Sequence, residues 1–192
     1  MPGELDEAGW QSLHAVRLRG VVDDADDVVA LRIVEVGFAA RSTKGLRITT
    51  EGRTAHTTWA RVVAGDVEAA IERSYQRFLA LNQELIRVCN DWQVRPGGAP
   101  NDHRDPSYDW AVVDRLLAID DRVGPILRGV ASTATRFGTY RPRLRAARER
   151  VAEGETEWLT SPRIDSYHTV WMQLHEDLLL ALGRDRASEG GT

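Results

Sequence analysis

The sequence predicts a mainly α protein with a short β-hairpin near its amino end, followed by a bundle of about five helices. Three observations support this fold class. Apolar residues recur at helical spacing over most of the chain, two short strand-like runs flank a turn around Lys44, and prolines stand near the starts of later helical stretches. The chain has 192 residues, 42% of them hydrophobic and 28% charged, which is typical of a folded globular protein.

Composition also indicates the compartment. No apolar run approaches the roughly 20 residues that span a bilayer, and the acidic residues 1–7 lack the apolar core of a secretory signal. Cys89 is the single cysteine, which rules out an intrachain disulfide and a cysteine-rich zinc site. We therefore expect a cytoplasmic protein without a membrane partner, and the single lysine among 25 basic residues points to a GC-rich genome.

The first elements are two helices. The first ends at Gly20, and the second, with Val29 and Ile33 on one face, ends at Gly37. Residues 38–41 and 46–49 then predict two strands, joined by a turn over 42–45. Thr49 is the predicted N-cap of a third helix, with Glu51 in its first turn.

The pattern becomes entirely helical from Asp66 onward. A stripe with heptad-like steps opens this part, through Val67, Ile71, Tyr75, Phe78, Asn82, Leu85, Cys89 and Trp92. A Pro/Gly loop at 95–100 follows, and further helices are predicted over 108–123, 125–137, 141–153 and 164–182. We predict domains at 1–63 and 64–185, with a frayed tail at 186–192. The polar Asn82 fixes the register of a helix pair, either inside the bundle or against a second subunit.

One phrase in the first segment carries a family resemblance. The spacing of Val29, Ile33 and Gly37, followed by Leu46-x-Ile48-Thr49-x-x-Gly52-Arg53, resembles the recognition helix and wing of winged-helix regulators of the MarR and PadR type. The resemblance covers roughly residues 8–62. It implies an N-terminal winged-helix-like unit that binds DNA, a helical C-terminal domain that senses a small-molecule effector, and a homodimer.

The resemblance is incomplete in front of the recognition helix. Residues 21–25 are too few for a positioning helix and its turn, so the helix-turn-helix is degenerate. Four acids precede the recognition helix, namely Asp23, Asp24, Asp26 and Asp27, and residues 1–35 carry a net charge of −5. Carboxylates repel phosphates, and only Arg32 and Glu35 are suited to contact bases.

The wing has the opposite charge. Between residues 39 and 61, five basic residues face one acid, and we expect four side chains to contact DNA phosphates: Arg41, Lys44, Arg47 and Arg53. The alternative interpretation is an arginine-rich hairpin that is simply exposed to solvent.

The last helix carries the candidate ligand site. A helical wheel predicts a broad apolar arc, with the predicted pocket residues Tyr167, His168, Trp171 and His175 on it. The same wheel places polar residues on its edge or opposite face, namely Asp165, Thr169, Gln173, Glu176 and Asp177. Two alternatives remain for the histidines: bonded core residues, or general acid–base groups of an enzyme.

Two further features have two interpretations each. The loop 101–106 is either a weak metal-ligand cluster or a turn with a helix cap. The arginine-rich run 140–150 either binds an acidic partner or pairs with nearby acids such as Glu153, Glu155 and Glu157. Cys89 is a small core residue rather than a nucleophile. We predict no metal, no cofactor and no enzymatic activity, because no nucleophile or nucleotide-binding motif is present.

Together these observations predict a transcriptional-regulator-like protein with a basic wing and a small-molecule-sensing helical domain. The alternative is a ligand-binding or protein-interaction module, derived from a winged-helix protein, that does not bind DNA.

Overall fold

The computed structural model describes residues 5–22, 28–64 and 67–184, and in these ranges it shows eight α-helices and one antiparallel hairpin. The helices are α1 (Glu7–Arg19), α2 (Val28–Glu35), α3 (Thr50–Ala64), α4 (Glu68–Gln93), α5 (Pro106–Thr133), α6 (Tyr140–Ala152), α7 (Glu157–Thr160) and α8 (Tyr167–Ala181). The strands are β1 (Ala39–Ser42) and β2 (Gly45–Ile48). The predicted mainly α fold with a small hairpin is confirmed.

The chain divides into two compact units. The first comprises residues 1–66 together with 176–192, and the second comprises residues 67–175. The predicted division at residue 63 stays a prediction, and the predicted tail 186–192 lies outside the described residues. The same holds for the part of the degenerate helix-turn-helix that falls on residues 23–27.

The helices of the first unit end where the glycines predict. Asp6 caps α1 by accepting a hydrogen bond from the Gly9 amide at 2.8 Å, and Gly20 ends α1 with a φ of 76°. After α2, the amide of Gly37 (φ 77°) donates to the carbonyl of Val34, and the next amide reaches back to residue 33. This is the glycine-terminated bond pattern that allows the chain to turn sharply into β1.

The hairpin is held on both sides. Ala40 pairs with Arg47 and Arg41 with Leu46, while Val22 forms an isolated antiparallel bridge to the other edge of β2 at Leu46. Its apolar face joins a core contributed by α1, α2 and the strands: Leu5, Trp10, Leu13, Val16, Ala30, Ile33, Phe38, Ala39, Leu46 and Ile48.

Thr49 connects the hairpin to α3, as predicted. Its hydroxyl oxygen accepts a hydrogen bond from the Gly52 amide at 3.0 Å, and its hydroxyl donates to the Gly37 carbonyl at 2.8 Å. One side chain therefore caps α3 and holds the end of α2.

In the second unit, α4 and α5 run antiparallel. Arg115 lies 2.6 Å from Asp91 and Arg122 lies 2.6 Å from Glu84. The later residue of α5 therefore pairs with the earlier residue of α4, as antiparallel helices require. The predicted stripe on α4 is buried at Ile71, Tyr75, Phe78, Asn82, Leu85, Cys89 and Trp92. The Asn82 side chain accepts a hydrogen bond from the Trp171 indole at 2.9 Å, so it is satisfied within its own chain.

The prediction of two helices across Pro125 is wrong, because α5 continues through it. A proline inside a helix costs about 3 kcal/mol, since it removes the hydrogen bond to the carbonyl four residues earlier. That carbonyl belongs to the exposed Asp121, where water can donate instead. The flanking Val123 and Leu127 are buried at 0% and 1% exposure, and burying each apolar side chain stabilises by about 1.5–3 kcal/mol. The free energy gained by burying these side chains therefore exceeds the cost of the proline inside the helix.

Candidate functional site

The four predicted phosphate-contacting residues are all exposed. Arg41 and Arg47 lie on the strands, Lys44 lies in the turn, and Arg53 lies in the first turn of α3. Residues that pair across an antiparallel ladder point to the same face, so Arg41 shares the face of the buried Leu46. Arg47, one position further, points to the opposite face. The basic side chains therefore surround the hairpin rather than line one of its faces.

Three of the four predicted phosphate-contacting residues have no carboxylate of the described residues within ion-pair distance. Among the described residues, the structure shows no ion pair for Lys44, Arg47 or Arg53. Each therefore presents a cationic group to solvent.

The helix that precedes the hairpin is poorly equipped to contact bases. The predicted base-reading side chains, Arg32 and Glu35, form an ion pair with each other at 2.7 Å. Val28 and Leu31 are 78% and 46% exposed, so this surface is partly apolar. They border a groove of about 640 Å³, lined by Leu5, Asp6, Val28, Val29, Leu31, Arg32 and Glu35. The predicted acidic cluster at 23, 24, 26 and 27 lies outside the described residues.

Of the predicted pocket residues on α8, Tyr167 and Trp171 are fully buried, His175 is buried and His168 is half-buried. The Tyr167 hydroxyl donates to the Asp120 carboxylate at 3.2 Å, and His175 Nε2 lies 3.3 Å from the Tyr75 hydroxyl. Burial, and then the negative charge of Asp120, raise the pKa of Tyr167 well above its usual value. The Tyr167 hydroxyl and His175 Nε2 therefore have partners on other helices, and a ligand role for the four residues stays a prediction.

Two polar residues of α8 are buried although they lie outside the apolar arc of the helical wheel. The wheel predicts Gln173 and Asp177 on the edge or opposite face of the arc, and they are 7% and 0% exposed. Each has a polar partner from a distant helix: Arg143 donates to Gln173 at 2.6 Å, and His14 Nε2 lies 3.2 Å from Asp177. Such partners allow polar groups to be buried, and a wheel of one helix does not contain them.

The arginine-rich run of α6 is a paired helix face, as one interpretation predicted. All five arginines lie within ion-pair distance of acids: Arg141 and Arg148 with Asp120, Arg143 with Asp165, Arg145 with Glu149, and Arg150 with Glu155. Of the three predicted acids, only Glu155 is among these partners, because the other pairs join residues from different helices or neighbouring turns.

The loop 101–106 is a turn with a helix cap. Asp105 caps α5 by accepting a hydrogen bond from the Tyr108 amide at 3.2 Å. Hydrogen bonds from Ser107 first, and then from Arg95, lower the pKa of Asp105 to about 2. His103 Nδ1 lies 3.1 Å from Asp109. Within residues 5–22, 28–64 and 67–184, no group of three or more histidine, cysteine or acidic residues is arranged to hold a metal ion.

Cys89 is a core residue, as predicted. It is 8% exposed on the buried stripe of α4, and burial raises the pKa of its thiol to about 12. The thiol is therefore protonated near neutral pH, whereas a nucleophile requires the thiolate.

A cluster that sequence reasoning missed lies in the first unit. His14 of α1, His56 of α3 and Asp177 of α8 form a continuous chain of contacts. His14 Nδ1 lies 2.8 Å from His56 Nε2, and His14 Nε2 lies 3.2 Å from Asp177. The only sequence signal was the four-residue spacing of Gly52, His56 and Ala60, all of which are buried on one stripe of α3.

Comparison with protein-family models, with curated proteins and with solved structures finds no match to this chain. None of the helices in the described ranges has the length and apolarity needed to cross a membrane.

Proposed function

We propose that this chain is a winged-helix-like regulator that binds duplex DNA through its basic hairpin, with contacts to the phosphate backbone rather than to base edges. The order of α1, α2, hairpin and α3 supports the proposal, because it matches the resemblance in the sequence. The observation that carries it is the exposure of Lys44, Arg47 and Arg53, for which the described residues show no ion pair.

The contrast with α6 explains why the hairpin is the better candidate. Each arginine of α6 already has a carboxylate within 3.3 Å, so a phosphate would have to displace an existing partner. At the hairpin, Lys44 and Arg47 can pair with phosphates and release counterions without breaking an ion pair. The gain in binding free energy is therefore larger at the hairpin.

Recognition by this surface is expected to depend weakly on base sequence. Direct recognition requires side chains that donate or accept at base edges in the major groove. The exposed side of α2 offers the mutually paired Arg32 and Glu35 next to the apolar Val28 and Leu31. Phosphate contacts position a protein on DNA but carry no sequence information directly.

Removing two hairpin cations tests this proposal. In Lys44→Gln/Arg47→Gln, we expect the slope of log K against log salt to fall by about 2 for a short duplex, because each lost phosphate contact removes about 0.9 from it. Fluorescence anisotropy between about 50 and 200 mM salt measures the slope. The control, Arg145→Gln/Arg150→Gln, removes the same charge from α6 and keeps the wild-type slope. Equal slopes for both variants, or no binding by the wild type at low salt, would overturn the proposal.

We also propose that the chain binds a small-molecule effector and forms a homodimer. Bundles commonly form ligand sites between facing helices, which supports a sensing role for the second unit. Because Tyr167 and Trp171 are bonded to Asp120 and Asn82, an effector at these residues would require those contacts to open.

The second candidate is a protein-interaction module that does not bind DNA, and the apolar face of α2 favours it. If that face binds a second copy of the chain, Leu31→Ser is expected to shift a dimer toward monomer by at least tenfold in Kd, since a buried leucine contributes about 1.5–3 kcal/mol. Sedimentation velocity measures the shift. Val62→Ser, at a valine of α3 that is 67% exposed, is the matched control. An unchanged Kd for Leu31→Ser would exclude this surface.

A further inference from the structure

Two arginine side chains from different helices meet beside Gly124 in the second unit. Arg128 lies one turn after Gly124 on α5, and Arg141 lies in the first turn of α6. The point where a Cβ of residue 124 would lie is 3.6 Å from Nη1 of Arg128 and 3.7 Å from Nη2 of Arg141. Because both guanidinium groups approach the same point, they lie side by side.

A buried carboxylate holds Arg141 in place without using the whole guanidinium group. Nη1 of Arg141 donates to both carboxylate oxygens of Asp120, at 2.9 and 3.0 Å. In the part of the chain that the structure describes, Nη2 of Arg141 forms no hydrogen bond. The ion pair therefore fixes the position of Arg141 and leaves an N–H donor group near Arg128.

Arg128 adds a positive charge that is not offset within the described ranges. It is exposed, and among those residues it has neither an ion pair nor a hydrogen bond. The neighbouring acids Asp120 and Asp121 are within ion-pair distance of Arg141 and Arg148 instead. In this group of five side chains, three cations therefore stand beside two anions.

An additional anion fits the chemistry of this arrangement. Two cations held side by side repel each other, and an anion bound to both removes that repulsion. A guanidinium group offers planar N–H donors that match phosphate oxygens, and a phosphoryl group has three oxygens that accept hydrogen bonds. Arg141 alone would have to leave Asp120 to neutralise an anion. With Arg128 beside it, Arg141 only has to donate from Nη2.

We propose that Arg128 and Arg141 form a binding site for the phosphoryl group of a small phosphate monoester. Asp120 orients Arg141 before the ligand arrives, so Arg128 is the side chain that becomes ordered on binding, which limits the entropic cost. The site lies in the second unit, whereas the basic hairpin belongs to the first. The proposal therefore does not depend on DNA binding.

Titration of the full chain with inorganic phosphate at constant ionic strength tests the site. Nitrogen-15 NMR is expected to show saturable shifts of the backbone signals of Gly124 and Arg128. In Arg128→Gln the Kd is expected to rise about tenfold, because hydrogen bonds to charged groups are the stronger ones. Arg128 is exposed and has no ion pair among the described residues, so this variant is expected to fold normally.

The matched control is Arg104→Gln. It removes the same charge from a side chain that is 87% exposed in the loop before α5, and it is expected to keep the wild-type Kd. Equal weakening by both variants would show that phosphate responds only to the overall charge. That result, or the absence of saturation in the wild type, would overturn the proposal.

Two further titrations identify the kind of anion and its source. Acetate and a short DNA duplex, at the same ionic strength, are expected to leave the Gly124 signal in place. A carboxylate and a phosphodiester each have two free oxygens, whereas a phosphate monoester has three. Equal shifts with acetate would mean that the site does not select a phosphoryl group. Larger shifts with duplex than with phosphate would assign the site to a nucleic-acid backbone, and either result would contradict the proposal.

Discussion

Replacing Gly52 with alanine is expected to lower the stability of the first unit by about 3 kcal/mol, the upper end of the usual cost of overpacking. A Cβ at this position would overlap the carbonyl oxygen of Phe38 and lie 2.8 Å from its carbon. That carbonyl also accepts a hydrogen bond from the Thr49 amide at 3.0 Å, so it cannot move away without breaking the junction between hairpin and α3. Alanine normally stabilises a helix relative to glycine by about 1 kcal/mol, and here the sign reverses.

Gly129→Ala in α5 is the matched control. Outside its own helix, the nearest atom to its added Cβ is the hydroxyl oxygen of Ser74 at 3.9 Å, so we expect stabilisation of about 0.5–1 kcal/mol. Urea unfolding followed by circular dichroism measures both variants. If both substitutions changed the free energy of unfolding in the same direction, the close approach of α3 to Phe38 would not be a packing constraint.

The ends of elements in the first unit could be predicted because they depend on adjacent residues. Gly20 and Gly37 end helices through a backbone conformation that glycine adopts readily, and Thr49 caps α3 with its own side chain. Pro125 was misjudged because its local preference to start a helix is overridden by the burial of its neighbours. That burial depends on helices distant in the sequence.

Only those features of the candidate site that depend on local composition could be predicted from the sequence. The exposed cations of the hairpin follow from an arginine-rich turn, but the opposite faces of Arg41 and Arg47 follow from the strand register. His14 and His56 are 42 positions apart, and Asp177 belongs to α8, so no local pattern joins them. Polar contacts between residues this far apart in the sequence become visible only in the folded structure.

A buried carboxylate at the centre of the second unit gives the other large expected effect. Asp120 is 1% exposed and lies 2.9 Å from Arg141, 3.3 Å from Arg148 and 3.2 Å from the Tyr167 hydroxyl. Asp120→Ala removes the one carboxylate common to these contacts. Breaking a buried ion pair costs about 3–5 kcal/mol, and we expect about 3 because both arginine side chains remain about one third exposed.

The neighbouring Asp121→Ala separates this effect from the loss of negative charge in α5. Asp121 is 73% exposed on its side chain and lies 3.8 Å from Arg148, so its removal is expected to change stability by no more than about 0.5 kcal/mol. Thermal unfolding of both variants at one pH and salt concentration measures the difference. Added salt screens exposed pairs more strongly than buried ones, so the cost of Asp120→Ala is expected to persist at about 1 M salt. A cost that vanished under these conditions would mean that Asp120 acts as a surface charge, and its burial among α5, α6 and α8 would not stabilise the bundle.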